Sequence, residues 1–199
     1  AIAEAAKMIM AAERPVIYSG GGILRSRAAA ELSALAEMTQ IPVVTTLMNR
    51  GGFPDDHELN LGMPGMHGNY TAVMAMQEAD LLIALGARFD DRVTGARDKF
   101  APDAKIIHVD IDPAELGKVR FAHVPIAGDA KSIITDMLSE LEKLGGAKAQ
   151  PNRDAWRQTL SGWQEKYPLV YGDHEPGKLL KPQFVIEKLA EACPSDTIL

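Results

Sequence analysis

Short apolar runs alternate with amphipathic stretches along most of the chain. Runs of aliphatic residues predict strands over 15–19, 41–46, 80–85, 106–110 and 124–126. Apolar residues at helical spacing predict helices near the N-terminus and over 26–38, 69–78 and 131–144. This alternation indicates βαβ units and parallel strands. The predicted fold class is α/β, a Rossmann-like three-layer α/β/α arrangement with a parallel sheet of about six strands.

One connection is too long to be a plain turn. The Gly-rich stretch 47–68 covers about 22 residues, which exceeds what a compact domain uses to join two elements. It therefore indicates a functional loop or a short element inside it. The chain also begins without Met and stops at the apolar pair Ile198-Leu199, which resembles a strand just beginning. We expect a piece of a longer protein.

The character of the chain changes after residue 145. Gly, Pro, Lys and Gln dominate there, around one amphipathic helix that would bury Trp156, Leu160 and Trp163. A last helix is predicted over 183–193, before Pro194. We divide the chain into a domain, a linker with one helix, and the truncated start of a further domain, over 1–145, 146–181 and 182–199.

Composition narrows the classes of function. Lys and Arg number 21 and Asp and Glu 27, and this net charge of −6 argues against a nucleic-acid partner. Cys193 is the one cysteine, which excludes an internal disulfide and a thiolate metal cluster and is typical of a cytoplasmic protein. No apolar run reaches the roughly 18 residues that span a bilayer, so we expect no membrane partner.

The loops after the predicted strands carry the candidate chemistry, because ligands of parallel α/β sheets bind beyond the carboxyl ends of the strands. Gly20, Gly21 and Gly22 follow the first strand and would let a backbone approach a phosphate or a ring. Arg25 stands where a dinucleotide fingerprint needs a small residue, which disfavours a simple NAD site. An ordinary tight turn explains the three glycines equally well.

Charged residues follow two later strands. The segment GARFDDRVTG (86–95) holds two Arg and two Asp, and Arg forks suit pyrophosphate or flavin carbonyl oxygens. A solvated cluster with internal salt bridges is the alternative. Asp110 ends a buried strand, where it would accept hydrogen bonds from a ribose or cap a local turn. Asp112 with Glu115 has the spacing of a capping box and predicts a helix start.

The remaining candidate residues are weaker evidence for a functional site. His67 in the segment GMPGMHG (62–68) is a lone loop histidine, and Asp55-Asp56-His57-Glu58 is better explained as a solvated turn than as a metal site. The sequence contains no nucleophile elbow, P-loop lysine, H-E-x-x-H or C-x-x-C motif. It also lacks a Gly-Asp-Gly motif for a diphosphate-bound metal. We expect no metal ligand in this chain.

Taken together, these segments resemble the central domain of thiamine-diphosphate enzymes, and most closely that of the acetolactate (acetohydroxyacid) synthase catalytic subunits. The resemblance is carried by RPVIYSGGGI (14–23), IPVVTTLMNRGGFP (41–54), LGMPGMHG (61–68), DLLIALGARFDDRVTG (80–95), IIHVDIDPAE (106–115) and PIAGDAK (125–131). It extends through the linker to PQFVIEKL (182–189). One departure is mild: Pro64 precedes GMHG where the family has a bulky aliphatic residue.

The resemblance implies that this domain binds FAD. The residues matching the family's flavin contacts are Gly20, Gly21, Gly22, Thr46, Leu47, Met48, Gly65, Met66, His67, Gly86, Arg88, Asp90, Arg92 and Val93. Those matching the adenosine end are Asp110, Ile111, Glu115, Gly128, Asp129 and Ala130. Met66, Asp91 and Arg92 match positions that line the substrate channel. In the family FAD is largely structural, and none of these residues is catalytic.

The resemblance also implies the chemistry of the whole enzyme. Pyruvate is decarboxylated on thiamine diphosphate, bound with Mg²⁺, and joined to a second 2-keto acid in branched-chain amino acid biosynthesis. The catalytic glutamate lies in the preceding domain and the metal motif in the following one, so we expect this chain to be inactive alone. Its partners would be the other domains, further catalytic subunits and a regulatory small subunit. The alternatives are an ADP- or coenzyme A-binding domain of a sister enzyme and a structural module with an empty nucleotide site.

Overall fold

The computed structural model describes residues 1–173, 177–194 and 197. The chain divides into two compact units, Ala1–Tyr167 and Pro168–Leu199. The strand expected at Ile198-Leu199 lies outside the described residues. In the parts of the chain that are described, every helix is too short or too polar to cross a lipid bilayer.

A six-stranded, wholly parallel sheet forms the centre of the first unit. Its strands are β1 (Pro15–Ser19), β2 (Val43–Thr45), β3 (Asn60–Gly62), β4 (Leu81–Leu85), β5 (Lys105–Asp110) and β6 (Val124–Ala127). They lie in the order β3-β2-β1-β4-β5-β6. The predicted α/β class and the strand number are therefore confirmed.

Helices flank both faces of this sheet. In chain order they are α1 (Ile2–Ala11), α2 (Gly22–Arg25), α3 (Ala29–Thr39), α4 (Tyr70–Glu78), α5 (Asp91–Thr94), α6 (Ala130–Lys143) and α7 (Asp154–Lys166). Short 3₁₀ turns lie at Leu47–Asn49 and Gly146–Ala149. The first of these turns and β3 are the short elements expected inside the long 47–68 stretch.

Successive side chains of β1 enter two separate cores, since strand side chains alternate between the faces of a sheet. Ile17 belongs to the core formed with α1, α3 and α6. Val16 and Tyr18 belong to the core on the opposite face, which α4 and α7 cover. These two cores confirm the predicted three layers.

The helix over 154–166 is part of the first unit. Trp156 and Leu160 are buried, as predicted, and the Trp156 indole N–H donates to Pro15 O at 3.3 Å. The Arg153 guanidinium, also buried, donates to the carbonyls of Ile9, Ala12 and Thr39 at 2.6, 3.0 and 2.8 Å. This residue therefore ties the start of α7 to the ends of α1 and α3.

The second unit contains α8 (Pro182–Ala192), and Pro182 occupies the first helical position, where a missing N–H costs nothing. No residue of this helix is buried. The Lys181 ammonium donates to Gly172 O at 2.7 Å, and the Tyr171 hydroxyl donates to Glu187.

One expected element is absent. Residues 112–120 form turns instead of the helix that the capping-box spacing predicts. The Asp112 carboxylate accepts the Ala114 N–H at 2.9 Å, so it caps a turn, and Glu115 pairs with Lys118 at 2.8 Å instead of closing the box. Gly117 has φ +73°, a left-handed conformation that stops helical propagation.

Candidate functional site

Backbone hydrogen bonds link the candidate segments into one continuous edge. Just beyond the strands, each neighbouring pair is joined by one N–H···O bond: Thr46 to Ser19 at 2.9 Å, Gly20 to Leu85 at 2.9 Å, Gly86 to Val109 at 2.8 Å and Gly128 to Asp110 at 2.9 Å. The structure thus places the loops after β1, β2, β4, β5 and β6 side by side at the carboxyl end of the sheet.

The three consecutive glycines have different surroundings. A Cβ on Gly20 would lie 2.2 Å from Gly86 O, and one on Gly22 would lie 2.7 Å from Gly86 Cα. Gly86 itself has φ +60°. Close packing of two loops therefore accounts for the glycines at 20 and 22. Gly21 is less confined, since its nearest neighbour would be Met48 Cβ at 3.2 Å.

The 86–95 segment exposes its charges around a buried anchor. Phe89, with φ +55°, packs its ring 5.4 Å from that of Tyr18, while the residues on either side point outward. Arg88 lies 3.9 Å from Asp90, and Arg92 lies 3.7 Å from Asp91. These are loose pairs between exposed side chains, so both guanidinium groups can turn toward an anion.

Asp90 has a structural task as well. Its carboxylate accepts the Arg92 N–H at 3.1 Å and so caps α5. This bond is the main reason that the pKa of Asp90 is lowered, and the positive charges of Arg88 and Arg92 act in the same direction. Burial, with a smaller contribution from Asp90, raises the pKa of the Tyr18 hydroxyl.

The segment 62–68 packs on the backbone of α5. Gly65 has φ +100°, and a Cβ there would lie 2.8 Å from Arg92 O. The next two residues, Met66 and His67, are exposed. Met66, Asp91 and Arg92, the three residues predicted to line a substrate channel, therefore lie on two adjoining segments and are all exposed to solvent.

Thr46 and Asn49 place unpartnered polar atoms behind an apolar surface. Leu47 and Met48 are exposed, whereas Thr46 Oγ1 and Asn49 Oδ1 are buried and have no hydrogen-bond partner in the described chain. The Asn49 amide donates to Ser19 Oγ at 2.9 Å, which in turn donates to Val44 O at 3.2 Å. Asn49 was not among the residues predicted from the sequence, because nothing in a Gly-rich stretch marks one amide as buried.

At the β5–β6 end, the carboxylates serve turns and caps. Asp110 is buried, and one of its oxygens accepts the Asp112 N–H at 2.9 Å. Asp129 accepts the Ser132 N–H at 3.2 Å and caps α6, whose first residue is Ala130. Ile111, by contrast, is exposed. The turn-cap alternative for Asp110 is thus realised for one of its two oxygens.

His108 is a further buried residue behind this edge, and it was not among the residues predicted from the sequence. Its Nε2 lies 2.9 Å from Ala87 O, and its Nδ1 accepts the Gly117 N–H at 3.4 Å. Burial lowers the pKa of this imidazole. A buried histidine cannot be recognised from the strand pattern alone, since strands tolerate it on either face.

Two other regions do not join this edge. A cleft of about 310 Å³ lies near the amino ends of β2 and β3, and Pro42, Leu59 and Leu160 are among the residues that line it. Asp55 pairs with Arg50 at 2.5 Å, in the turn that could be mistaken for a metal site. Among residues 1–173, 177–194 and 197, no three His, Cys, Asp or Glu side chains are grouped so that they could hold a metal ion.

Comparisons with known proteins identify the family. The family model described as "Thiamine pyrophosphate enzyme, central domain" matches residues 2–137. The chain is 55% identical over 197 residues to an acetolactate synthase of Mycobacterium bovis and 53% identical over 197 residues to the large subunit from Corynebacterium glutamicum. It is 48% identical over 191 residues to a probable large subunit from Methanocaldococcus jannaschii.

These alignments cover 99%, 99% and 96% of this chain but 32%, 31% and 31% of the relatives. The chain therefore spans about a third of the length of the curated relatives that it matches. The resemblance seen in the sequence is confirmed: this chain belongs to the thiamine pyrophosphate enzyme family, as its central domain.

Proposed function

We propose that this chain is the FAD-binding central domain of an acetolactate synthase catalytic subunit. The observation that carries the proposal is the continuous carboxyl edge of the sheet, which brings together the loops after β1, β2, β4, β5 and β6. The remaining candidate segment, 62–68, approaches this edge where Gly65 lies against the backbone of Arg92. Relatives at 53–55% identity that are named acetolactate synthase supply the enzyme class. A nucleotide at this edge would also follow the general rule for open parallel sheets.

The residues present fit such a cofactor. Leu47, Met48, Met66 and Ile111 are 68–83% exposed on the loops that follow the strands, and they offer apolar surfaces for a flat ring. The buried Thr46 hydroxyl has no partner in the described chain and is free to donate to or accept from a ligand. When bound, FAD would have a mainly structural role, as the resemblance to this family implies.

The charged groups fit a dinucleotide. Arg88 and Arg92 are loosely paired and would turn toward a diphosphate, which guanidinium forks bind through two parallel hydrogen bonds. The second oxygen of Asp110 would accept from a ribose hydroxyl. The remaining flavin and adenosine contacts are assigned as the resemblance implies, with the glycines at 20 and 22 acting through close packing of the loops.

The parent enzyme would decarboxylate pyruvate on thiamine diphosphate, bound with Mg²⁺, and join it to a second 2-keto acid in the cytoplasm. This chain would contribute no catalytic residue and no metal ligand. Its exposed Met66, Asp91 and Arg92 would border the substrate channel. We infer that the other domains, further catalytic subunits and a regulatory small subunit are its partners, and that it has no nucleic-acid or membrane partner.

The domain boundaries are part of this proposal. Residues 1–145 would form the FAD-binding domain, 146–181 the linker with one helix, and 182–199 the start of the thiamine-diphosphate-binding domain. That α8 has no buried residue supports the last assignment, because an apolar helix face needs a partner.

FAD titration into the 199-residue chain tests the proposal directly. Flavin fluorescence should be quenched in a saturable manner with a Kd near 1 μM, which corresponds to about −8 kcal/mol. Arg88→Ala and Arg92→Ala should each weaken binding. Arg97→Ala is the matched control, because this exposed arginine lies just beyond α5 and outside the candidate set.

Competing ligands separate the alternatives. Binding of ADP or coenzyme A without affinity for the flavin would favour a sister enzyme. An absence of all nucleotide binding would favour the structural module, an interpretation supported by the packing role of Gly20 and Gly22. The chain alone, given thiamine diphosphate, Mg²⁺ and pyruvate, should form no acetolactate, and measurable product would contradict the assignment of catalysis to other domains.

A further inference from the structure

His108 bridges two loops of the candidate site from behind the sheet edge. It is 1% exposed, its Nε2 faces Ala87 O at 2.9 Å, and the Gly117 N–H faces its Nδ1 at 3.4 Å. A carbonyl oxygen only accepts and a backbone N–H only donates. Both contacts are therefore satisfied by one species alone, the neutral imidazole with its proton on Nε2.

The His108 ring also packs against Phe89, which follows Arg88 as Ala87 precedes it. The ring of Phe89 meets that of His108 edge-on, with centroids 5.2 Å apart at 85°. Phe89 has φ +55°, a left-handed conformation that disfavours a residue with a Cβ and persists only where its surroundings hold it. His108 thus contacts Ala87 and Phe89, the two residues that flank Arg88.

We propose that His108 is a positioning residue, whose neutral imidazole ties the 86–90 loop to the 111–117 turn and holds the two in register for the dinucleotide. The inference rests on the proposed FAD site and extends it to a residue that would not touch the cofactor. The 86–90 loop carries Arg88 and Asp90, and the 111–117 turn carries Ile111 and Glu115. The imidazole is therefore a link between the flavin end and the adenosine end.

Protonation would break this link. An imidazolium has N–H groups on both nitrogens, so Nδ1 could no longer accept the Gly117 N–H. The charged groups facing the ring are Asp110 on its own strand and Glu115 on the turn, and both favour the protonated form, while burial opposes it more strongly. From the 86–90 loop, Arg88 and Asp90 extend into solvent. FAD affinity should therefore fall on acidification.

Two substitutions separate the two hydrogen bonds. The amide oxygen of His108→Asn reaches the position of Nδ1 and retains the Gly117 bond, whereas the amide nitrogen of His108→Gln reaches the position of Nε2 and retains the Ala87 bond. His123→Asn is the matched control. That imidazole lies at the opposite edge of the sheet, where its Nδ1 accepts the Ile106 N–H at 3.0 Å.

FAD titration and amide hydrogen exchange are measured on all four chains. His108→Asn should weaken FAD binding about tenfold, equivalent to about 1.4 kcal/mol, because Ala87 O loses its donor. His108→Gln should speed exchange of the Gly117 amide about tenfold or more and should remove the loss of FAD affinity that the unsubstituted chain shows on acidification below pH 6.5. His123→Asn should do none of these.

The results test the two proposals separately. If the unsubstituted chain does not bind FAD, the proposed function fails, and amide exchange alone then tests the role of His108. Unchanged Gly117 exchange in folded His108→Gln overturns the positioning role, as does an FAD Kd for folded His108→Asn within twofold of the unsubstituted value. If His108→Asn does not fold, the exchange rate and the pH profile of His108→Gln decide whether His108 positions the two loops.

Discussion

Replacing Arg153 with methionine should strongly destabilise the first unit. This buried guanidinium donates three hydrogen bonds, of 2.6–3.0 Å, to carbonyls at the ends of α1 and α3. Methionine fills a similar volume but donates nothing. The substitution therefore leaves three carbonyl oxygens without the donor that satisfies them, in a region from which water is excluded.

The magnitude follows from two opposing effects. A hydrogen bond from a charged donor stabilises a fold by about 1.5–3 kcal/mol, so three such bonds favour the native state by several kcal/mol. Burial lowers the pKa of Arg153 to about 10, so holding the charge inside costs about 3 kcal/mol, a cost that the substitution removes. We expect a net loss of about 3–4 kcal/mol, or roughly 10 °C in Tm for a chain of this size.

Thermal unfolding followed by circular dichroism measures this loss. Arg157→Met is the control, because Arg157 lies one turn later on α7 and pairs at the surface with Asp154 at 2.5 Å. Removing that exposed pair should cost less than about 1 kcal/mol. If Arg153→Met lowers Tm by less than about 3 °C, or by no more than the control does, the three hydrogen bonds do not anchor the helix as argued.

Three further predictions test the site. Arg88→Ala and Arg92→Ala should each weaken FAD binding about tenfold in a fluorescence titration while leaving Tm unchanged, because both side chains form only loose surface pairs. Gly20→Ala should destabilise by more than about 2 kcal/mol in urea unfolding, since its Cβ would meet a backbone oxygen at 2.2 Å, whereas Gly162→Ala, in an open helical position, should stabilise slightly. The pKa of His108 is lower in the native state than its ordinary 6.5, so the native state binds fewer protons; stability should fall as the pH drops below about 6.5, and His108→Gln should reduce that slope.

The hydrophobic pattern predicted the layers and the sheet well, because a long apolar run is compatible with few secondary structures. The run over 80–85 became the central strand β4, paired on both sides by parallel neighbours. The amphipathic run over 131–144 became α6, which differs from the prediction by one residue at each end. Such elements are specified by burial along their whole length, and this information is local to the sequence.

The positions of short elements could not be predicted, for the opposite reason. β3 has three residues and α5 has four, so their own residues determine little and contacts from other parts of the chain fix their conformation. The helix expected after Asp112 failed because one local capping signal was outweighed by a left-handed glycine at 117. Arg153 was unpredictable for another reason: its three acceptors lie 114–144 residues away in sequence.

The glycine turn shows why the candidate site could be located but not interpreted from the sequence. Both explanations required glycine at 20, 21 and 22, and the structure satisfies the packing explanation at 20 and 22. Packing and binding are not competing roles here, because the close approach of Gly20 and Gly22 to Gly86 sets the loop that carries Arg88 against the loop that follows β1. A glycine motif therefore establishes that loops converge. The identity of the ligand depends on side chains that take no part in this packing. A nucleotide would be recognised by the unpartnered Thr46 hydroxyl and the loosely paired Arg88.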